Sequence, residues 1–595
     1  MTIQANFPAI KPSLLLDFAN TKQLDSRITY TRASTASYYD GVTTSKAEEN
    51  LLIRSAEFDN ATWGKTRSTV TANAVAAPDG TTTAESLDQA SGQTSSGLAS
   101  QYLVLSANSH VFSVFAKANT KSKIFLRDDF NSARSTWFDL SAGTVGTTNA
   151  GHTASITSVG SSWYRCVIVF TSTAQNNQVI VGLADTDNST TVTDSGGVYV
   201  WGAQLEQRSA VSAYTATTTQ AITNYIPKLQ SAASGVARFD NNPTTGESLG
   251  LLIEESRTNL LLYSSQFDDA SWSKSASVTV TANQVVSPNG TLDADQLNIV
   301  GNGGTTQIYK SITVANATAH TMSLYVKYYS GANGDFLFSM GSDTTRGIRV
   351  TVSASLLTIS EVGANVTASG FQSVGNGWFR IYFTVTSTST SFEYNIYRPA
   401  AYGGSGTNSF FIWGAQLEVG AFATSYIPTV ASQVTRAADA ASMTGTNFST
   451  WFNNGEGMFY SEGQLNYNPI GGGGAEWFSA SDGTQSNKIA PYFSSGSGIL
   501  FSNIVTSGVE QANTGATVIS ANVNFKYASV YKVNDFASVV NSGTASTDAS
   551  GVIPYRLSQL VIGDGSSVGN RSRYYKKLAY YPIRVTNAQL QALTS

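Results

Sequence analysis

Trp163 and Arg165 stand two residues apart, as do Phe115 and Lys117, and the same pairs return later as Trp378 with Arg380 and Tyr325 with Lys327. On a strand, that spacing puts both members of a pair on one face. A ring beside a cationic donor can hold a sugar, whose C–H surface rests on the ring while its hydroxyls bond the polar group. These eight residues are the candidate glycan-binding set. The alternative is that the tryptophans cover a sheet edge while the Arg and Lys side chains pair locally.

Catalytic constellations are missing from the pattern. Glycoside hydrolysis with retention needs two carboxyls about 5 Å apart. Glu254 and Glu255 are adjacent, so on a strand they point to opposite faces, where a nearby Arg such as Arg257 is the expected partner. His110, His152 and His320 have no Cys, Asp or Glu at ligand-like spacing, and no His-Glu-x-x-His, Gly-x-Ser-x-Gly or phosphate-loop pattern occurs. Gly471-Gly-Gly-Gly474 lacks a following Lys-Ser or Lys-Thr and reads as a turn. Cys166 is the chain's one cysteine, so no intrachain disulfide or thiolate metal cluster can form, and it reads as a small buried hydrophobe. The expectation is therefore a protein that is not an enzyme, with no catalytic residues, no metal-ligating set and no cofactor. Asp185-Thr-Asp-Asn188 supplies oxygens of the kind calcium takes, which leaves a structural calcium open.

The elements that carry these residues are written twice. Asn50-Leu-Leu-Ile-Arg-Ser-Ala-Glu-Phe-Asp-Asn-Ala-Thr-Trp63 returns as Asn259-Leu-Leu-Leu-Tyr-Ser-Ser-Gln-Phe-Asp-Asp-Ala-Ser-Trp272. Val70-Thr-Ala-Asn73 matches Val280-Thr-Ala-Asn283, and Trp201-Gly-Ala-Gln-Leu-Glu206 matches Trp413-Gly-Ala-Gln-Leu-Glu418. A period of about 210 residues is too long for a solenoid unit and marks two copies of a folded domain. The copies run from about 46 to 217 and about 254 to 430. At 595 residues the chain should hold about three or four domains, which leaves its tail as a third.

Only 12% of residues are charged, whereas Gly, Ser, Thr, Asn and aromatic residues abound, a balance of short strands joined by polar turns. The chain reads as all-β, with its best helical candidate at 586–594. Alternation places Tyr164, Cys166, Ile168 and Phe170 on one face, matched by Phe379, Ile381, Phe383 and Val385, an apolar set that must be core. The same count groups Tyr199, Trp201, Ala203 and Leu205, matched by Phe411, Trp413, Ala415 and Leu417, with Trp201 and Trp413 as core anchors. Gln204, Glu206, Gln416 and Glu418 then meet solvent or a neighbouring loop. Strands of this length joined by turns such as Pro78-Asp-Gly80 suggest two sheets packed face to face.

A formal net charge of −4 without basic blocks offers no stripe for a phosphate backbone, so nucleic acid is not an expected partner. No run of 18 apolar residues suggests membrane insertion, and the N-terminus lacks the parts of a signal peptide.

The opening Asn-Leu-Leu, Phe and Trp pattern resembles the first strand of jelly-roll carbohydrate-binding modules. Arg238-Phe-Asp240 through Arg257-Thr-Asn259, with Ala423-Thr-Ser-Tyr-Ile-Pro-Thr429 and Val434-Thr-Arg-Ala-Ala-Asp439, resembles stretches of bacteriophage virion proteins that carry such modules. There the Thr31-Arg-Ala-Ser34 element usually leads directly to Arg-Phe-Asp; here the first repeat sits between them as though inserted. Ile562-Gly-Asp-Gly565 and Arg573-Tyr-Tyr-Lys-Lys-Leu-Ala-Tyr-Tyr-Pro582 resemble the end of a concanavalin-A-like, laminin-G-type sandwich.

The resemblance implies an attachment segment (1–45), a jelly-roll module (46–217), a connector (218–253), a second jelly-roll module (254–430), a linker (431–445) and a concanavalin-A-like sandwich (446–595). It also implies a virion-surface protein, a tail fibre, head fibre or decoration protein, contacting other virion proteins and host-surface polysaccharide as a homo-oligomer, commonly a trimer. A single sugar site of millimolar affinity is worth only about 4 kcal/mol. Duplication and oligomerisation raise avidity without new contacts, which favours adhesion. A purely structural decoration role and a polysaccharide depolymerase are the alternatives.

Overall fold

The computed structural model describes residues 11–130, 132–173, 175–300, 306–330, 334–341, 346–353, 356–363, 365–398, 407–470, 474–565 and 571–595. They are almost entirely strands and turns, as the composition predicts. Among them the helices are three short ones, Phe18–Thr21, Thr446–Ser449 and Asn587–Leu593. The last matches the expected C-terminal helix and starts with a capping box in which Thr586 and Gln589 satisfy each other's backbone N–H groups. No helix is long and apolar enough to cross a membrane. The chain forms two compact units: Ser45–Ile226 with Asn283–Ala294, and Pro227–Ala282 with Asp295–Ser595 and the N-terminal segment to Thr44.

Each copy of the duplication is a sandwich of two six-stranded sheets with the same strand order. In the first copy one sheet runs Gly64–Thr66, Leu98–Leu105, Gln175–Ala184, Lys123–Phe130, Ser132–Asp139, Thr144–Thr148. Its second sheet runs Ser68–Val75, Ala84–Gln89, Gly197–Glu206, Ser109–Ala118, Trp163–Thr171, His152–Gly160. In the second copy, Ala319–Ser330, Trp378–Thr386 and Thr407–Val419 take the places of Ser109–Ala118, Trp163–Thr171 and Gly197–Glu206. Cys166, Ile168 and Phe170 lie in the first core and Ile381, Phe383 and Val385 in the second, as alternation requires. Burial pushes the Cys166 thiol up, as befits a core residue.

Alternation fails in the Trp-Gly-Ala-Gln-Leu-Glu strand, for a local reason. Val198, Val200, Ala203 and Leu205 face the core, so Tyr199 and Trp201 are on the opposite side from Ala203 and Leu205. The phase slips at Gly202, which has a left-handed φ of 61° where the register with Ser109–Ala118 shifts between Trp201 and Gln204. Gly414, at φ 63°, does the same in the second copy, so Phe410, Ile412, Ala415 and Leu417 are core, whereas Trp413 is not. A bulge with a left-handed glycine inserts one residue and turns the rest of the strand over. Trp201 and Trp413 are thus buried, but not in the main cores.

The Asn-Leu-Leu opening is not a strand. Asn50 ends the strand Ala36–Asn50, and the residues from there to Trp63 form turns that drop Leu52, Phe58 and Trp63 into the core. Leu261, Phe267 and Trp272 repeat this after Arg257–Asn259. The asparagine fixes the turn: Asn50 Nδ2 donates to the carbonyls of Ala203 (3.0 Å) and Thr215 (2.8 Å), and its Oδ1 accepts from Leu52 and Leu205 N–H. Asn259 makes the same four bonds with Ala415, Ile427, Leu261 and Leu417. An amide with both its donor and acceptor sides bonded is a structural clamp.

The third sandwich is discontinuous. Its first eight-stranded sheet runs Arg238–Asn241, Ser248–Ile253, Arg573–Tyr581, Glu456–Leu465, Phe525–Lys532, Phe536–Val540, Ser546–Asp548, with Leu14–Leu16 also paired to Arg573–Tyr581. The second includes Thr29–Thr31 paired to Ala440–Thr444. Residues 14–31, 238–253 and 440–444 are therefore parts of this sandwich, where 1–45 was expected to stand apart and 218–253 and 431–445 to connect. Leu14, Leu16 and Phe18 fill its core, because an edge strand with one apolar face is stable only when that face is covered.

Candidate functional site

The eight predicted residues do lie together on the sheet faces turned away from the cores, but they do not form open platforms. In the first copy Arg165 is opposite Phe115 and Trp163 opposite Lys117. Trp163, Phe115 and Arg165 are buried and Lys117 is half-buried. Trp163 Nε1 donates to the Ala76 carbonyl at 3.1 Å, and Arg165 donates to the Ser212 carbonyl at 2.6 Å and to Ser113 Oγ. Phe115, Trp201 and Tyr214 form a compact ring cluster with centroids 4.7–6.0 Å apart, and the Arg165 guanidinium sits 5.1 Å from the Phe115 ring.

In the second copy Tyr325, Trp413 and Tyr426 reproduce the cluster at 4.7–6.0 Å, with Arg380 5.5 Å from the Tyr325 ring. Trp378, Tyr325 and Lys327 are buried; Arg380 is half-buried. The sugar-binding face expected here is closed by the loop after each Trp-Gly-Ala-Gln-Leu-Glu strand. Gln204 Oε1 accepts from Thr215 N–H, and Glu206 accepts from Ser212 N–H and Oγ. Gln416 and Glu418 hold Ile427 and Thr424 in the same manner. Folding that loop over the rings removes apolar surface from water at about 25 cal/mol per Å², which is why an aromatic face is covered rather than displayed.

The second copy differs in that part of its face opens on a cleft of about 460 Å³. Tyr325, Phe371, Arg380 and Tyr382 form one side; Asp240, Asn241, Gln464, Asn466, Asn522 and Tyr574 of the third sandwich form the other, and Tyr38 and Tyr39 close it. Of the predicted residues the cleft includes Tyr325 and Arg380. Sequence reading missed the remainder because they come from six separate stretches of the chain that only the tertiary fold brings together.

The cleft's carboxylates are engaged. Asp240 accepts from the Tyr39 N–H at 2.7 Å and the Tyr574 hydroxyl at 2.8 Å, and its burial pushes it up to about 6 despite those bonds. Glu254 bonds Arg238 at 2.7 Å and Arg436 at 3.1 Å and accepts from Ser425 N–H and Oγ. Burial raises its pKa, but the two guanidiniums outweigh burial and hold the carboxyl down at about 2. Arg238 also bonds Asp439 at 2.6 Å, and Asp439 bonds Arg32 at 3.1 Å. The connector motifs Thr31-Arg-Ala-Ser34, Arg238-Phe-Asp240 and Val434-Thr-Arg-Ala-Ala-Asp439 thus meet in one buried ionic hub. Glu255 pairs with Arg257, as expected from the sequence.

Other candidates have local partners. His110 and His320 lie within strands and bond the carbonyls of Asn108 and Thr318, with burial pushing both below the usual histidine value. The fold brings Asp128 to His152 Nε2 at 2.7 Å and Thr136 to its Nδ1 at 2.9 Å, a row invisible in the sequence spacing. These side chains are buried, so the row cannot meet a substrate. Asp185 bonds Lys121, whose ammonium also bonds Asp194, and Asp187 turns away to Thr147. Among the described residues no group of three or more His, Cys, Asp or Glu is placed to hold a metal ion. Of Gly471–Gly474, the first three lie outside the described residues.

No protein-family model matches the chain, and no curated protein does. Among solved structures it is similar to the N-terminal CBM22-1-CBM22-2 tandem domain from Paenibacillus barcinonensis Xyn10C, with 11% identity over 63% of this chain and 98% of that chain and a TM-score of 0.18. It is similar to the LG1-3 region of the laminin alpha2 chain, with 10% identity over 82% and 96% and a TM-score of 0.20. It is also similar to Trypanosoma rangeli sialidase in complex with the inhibitor DANA, with 9% identity over 98% and 97% and a TM-score of 0.19. Likenesses this distant carry no argument about function; by its own sheets the chain is an all-β protein of tandem sandwiches.

Proposed function

We propose that the protein binds glycans and acts by attachment rather than catalysis. The observation that carries this reading is the cleft of the second unit, where ring side chains and amides converge on a space of about 460 Å³, within the range of small-molecule sites. A binding role suits its carboxylates, since Glu254 is held by two arginines, Asp240 by Tyr39 and Tyr574, and Glu247 by Lys576. The connector motifs, through their resemblance to virion proteins, support a place on a bacteriophage particle as a tail fibre, head fibre or decoration protein, assembled as a homo-oligomer, a trimer by the same resemblance.

A purely structural decoration role is the second reading, favoured by the closure of the aromatic faces in both modules. Mixing the protein with host-surface polysaccharide and following both by size-exclusion chromatography separates the readings. Co-elution with polysaccharide of unchanged length is expected; shortened polysaccharide means a depolymerase, and no association favours the structural role.

A further inference from the structure

We infer that the cleft receives an acidic sugar, whose carboxylate is held by the guanidinium of Arg380. This rests on the glycan-binding reading and adds the chemical class of the ligand. The duplication supplies the comparison that carries it. On the sheet face turned away from the core, Arg165 stands between Thr157 and Phe115 in the first copy, and Arg380 stands between Gln372 and Tyr325 in the second. Arg165 is buried and fully engaged: its Nη1 donates to the Ser212 carbonyl of the covering loop at 2.6 Å, and its Nε and Nη2 donate to Ser113 Oγ. Arg380 is half-buried and lines the cleft with both its neighbours. Its Nη2 donates at 3.0 Å to Ser323 Oγ, the counterpart of Ser113, and its guanidinium lies 5.5 Å from the Tyr325 ring. Among the described residues its Nη1 has no partner, and no carboxylate pairs with it. Unlike the buried Nε, that Nη1 keeps solvent access. The guanidinium also faces the cleft's hydroxyls: burial pushes Tyr39, Tyr325 and Tyr382 up, and the Arg380 charge opposes this at all three.

A half-buried cation without a counter-charge calls for an anion, and the planar fork of arginine matches a carboxylate in two parallel bonds. The cleft's own carboxyl groups are not that anion. Asp240 accepts from Tyr39 N–H and the Tyr574 hydroxyl, and Glu247 pairs with Lys576 at 2.6 Å. Glu254 belongs to the hub, where the three guanidiniums of Arg32, Arg238 and Arg436 face the two carboxylates of Glu254 and Asp439, one positive charge in excess. The remaining walls suit a sugar rather than a bare carboxylate ion. The exposed amides of Gln372, Asn522 and Asn524 can bond hydroxyls, and Phe371, 44% exposed, offers a ring to C–H groups.

The test is ligand-observed NMR titration of the full chain with the methyl glycosides of glucuronate, galacturonate and N-acetylneuraminate, and with methyl glucoside, N-acetylglucosamine and glucosamine, using wild type, Arg380→Gln and Gln372→Glu. Gln372 is exposed, so placing a carboxylate there beside the guanidinium disturbs no buried contact and keeps the test valid if Arg380→Gln does not fold. At least one carboxylate-bearing sugar should bind more tightly than every uncharged or cationic one, and each folded variant should weaken it about tenfold or more. Acidic-sugar binding that either folded variant leaves unchanged overturns the site at Arg380 while leaving glycan binding standing. Equal or tighter binding of an uncharged or cationic sugar overturns the ligand class. Retention on host polysaccharide without binding of any probe overturns the inference alone, whereas no association with probe or polysaccharide overturns the glycan reading with it.

Discussion

Each residue of the Trp-Gly-Ala-Gln-Leu-Glu signature has its own task. The tryptophan joins the outer ring cluster, the glycine makes the bulge, alanine and leucine return to the core, and the glutamine and glutamate hold the covering loop. Gly414 is the critical member, because a Cβ there would lie 2.9 Å from Tyr325 Cδ2 in a left-handed conformation. Gly414→Ala should destabilise its unit by at least the roughly 1–2 kcal/mol of that conformation, read as a lowered midpoint in urea denaturation. Asp240 gives a pH signature. Its folded pKa of about 6 lies above the unfolded value of about 4, so the folded state takes up the proton first, and acidification from about pH 6 to about pH 4 stabilises it. Above that window the contribution is gone. Denaturation at a series of pH values spanning the window should show this rise in wild type and lose it in Asp240→Asn. Each tenfold gain in proton affinity on folding is worth about 1.4 kcal/mol.

At the scale of elements, the decisive feature is how short edge strands are secured. Leu14–Leu16 and Thr29–Thr31 have only three residues each, too few to be stable alone, and they are held by pairing to Arg573–Tyr581 and Ala440–Thr444. If this segment is part of the core, Leu14→Ala should cost about 2–5 kcal/mol, the usual range for a buried leucine; Leu14 is 1% exposed. A free attachment arm would show no change, and equilibrium unfolding monitored by tryptophan fluorescence distinguishes the two.

For the whole molecule, two compact units imply two cooperative transitions. The ionic hub of Arg32, Arg238, Glu254, Arg436 and Asp439 belongs to only one of them. Breaking a buried pair from one side strands the other charge at a cost of about 3–5 kcal/mol. In scanning calorimetry Glu254→Gln should therefore lower one transition and leave the other in place. A shift of both, or a single merged transition in wild type, would contradict independent units.

Some of this was legible in the chain and some was not. Alternation of apolar residues identified the core strands around Cys166 and Ile381, since side-chain period is a local property of a strand. The duplication likewise showed two like domains, because equal sequences meet equal local forces. Alternation failed at Trp201 and Trp413, where one left-handed glycine reverses the faces, and only pairing with a neighbouring strand reveals that. Tertiary structure alone decided that the ring clusters are covered, that the connector motifs form a buried hub, and that Tyr325 and Arg380 share a cleft with Asn241 and Asn466 of the third sandwich. Burial depends on which distant segments pack above a face, and along one chain that information is spread over hundreds of residues.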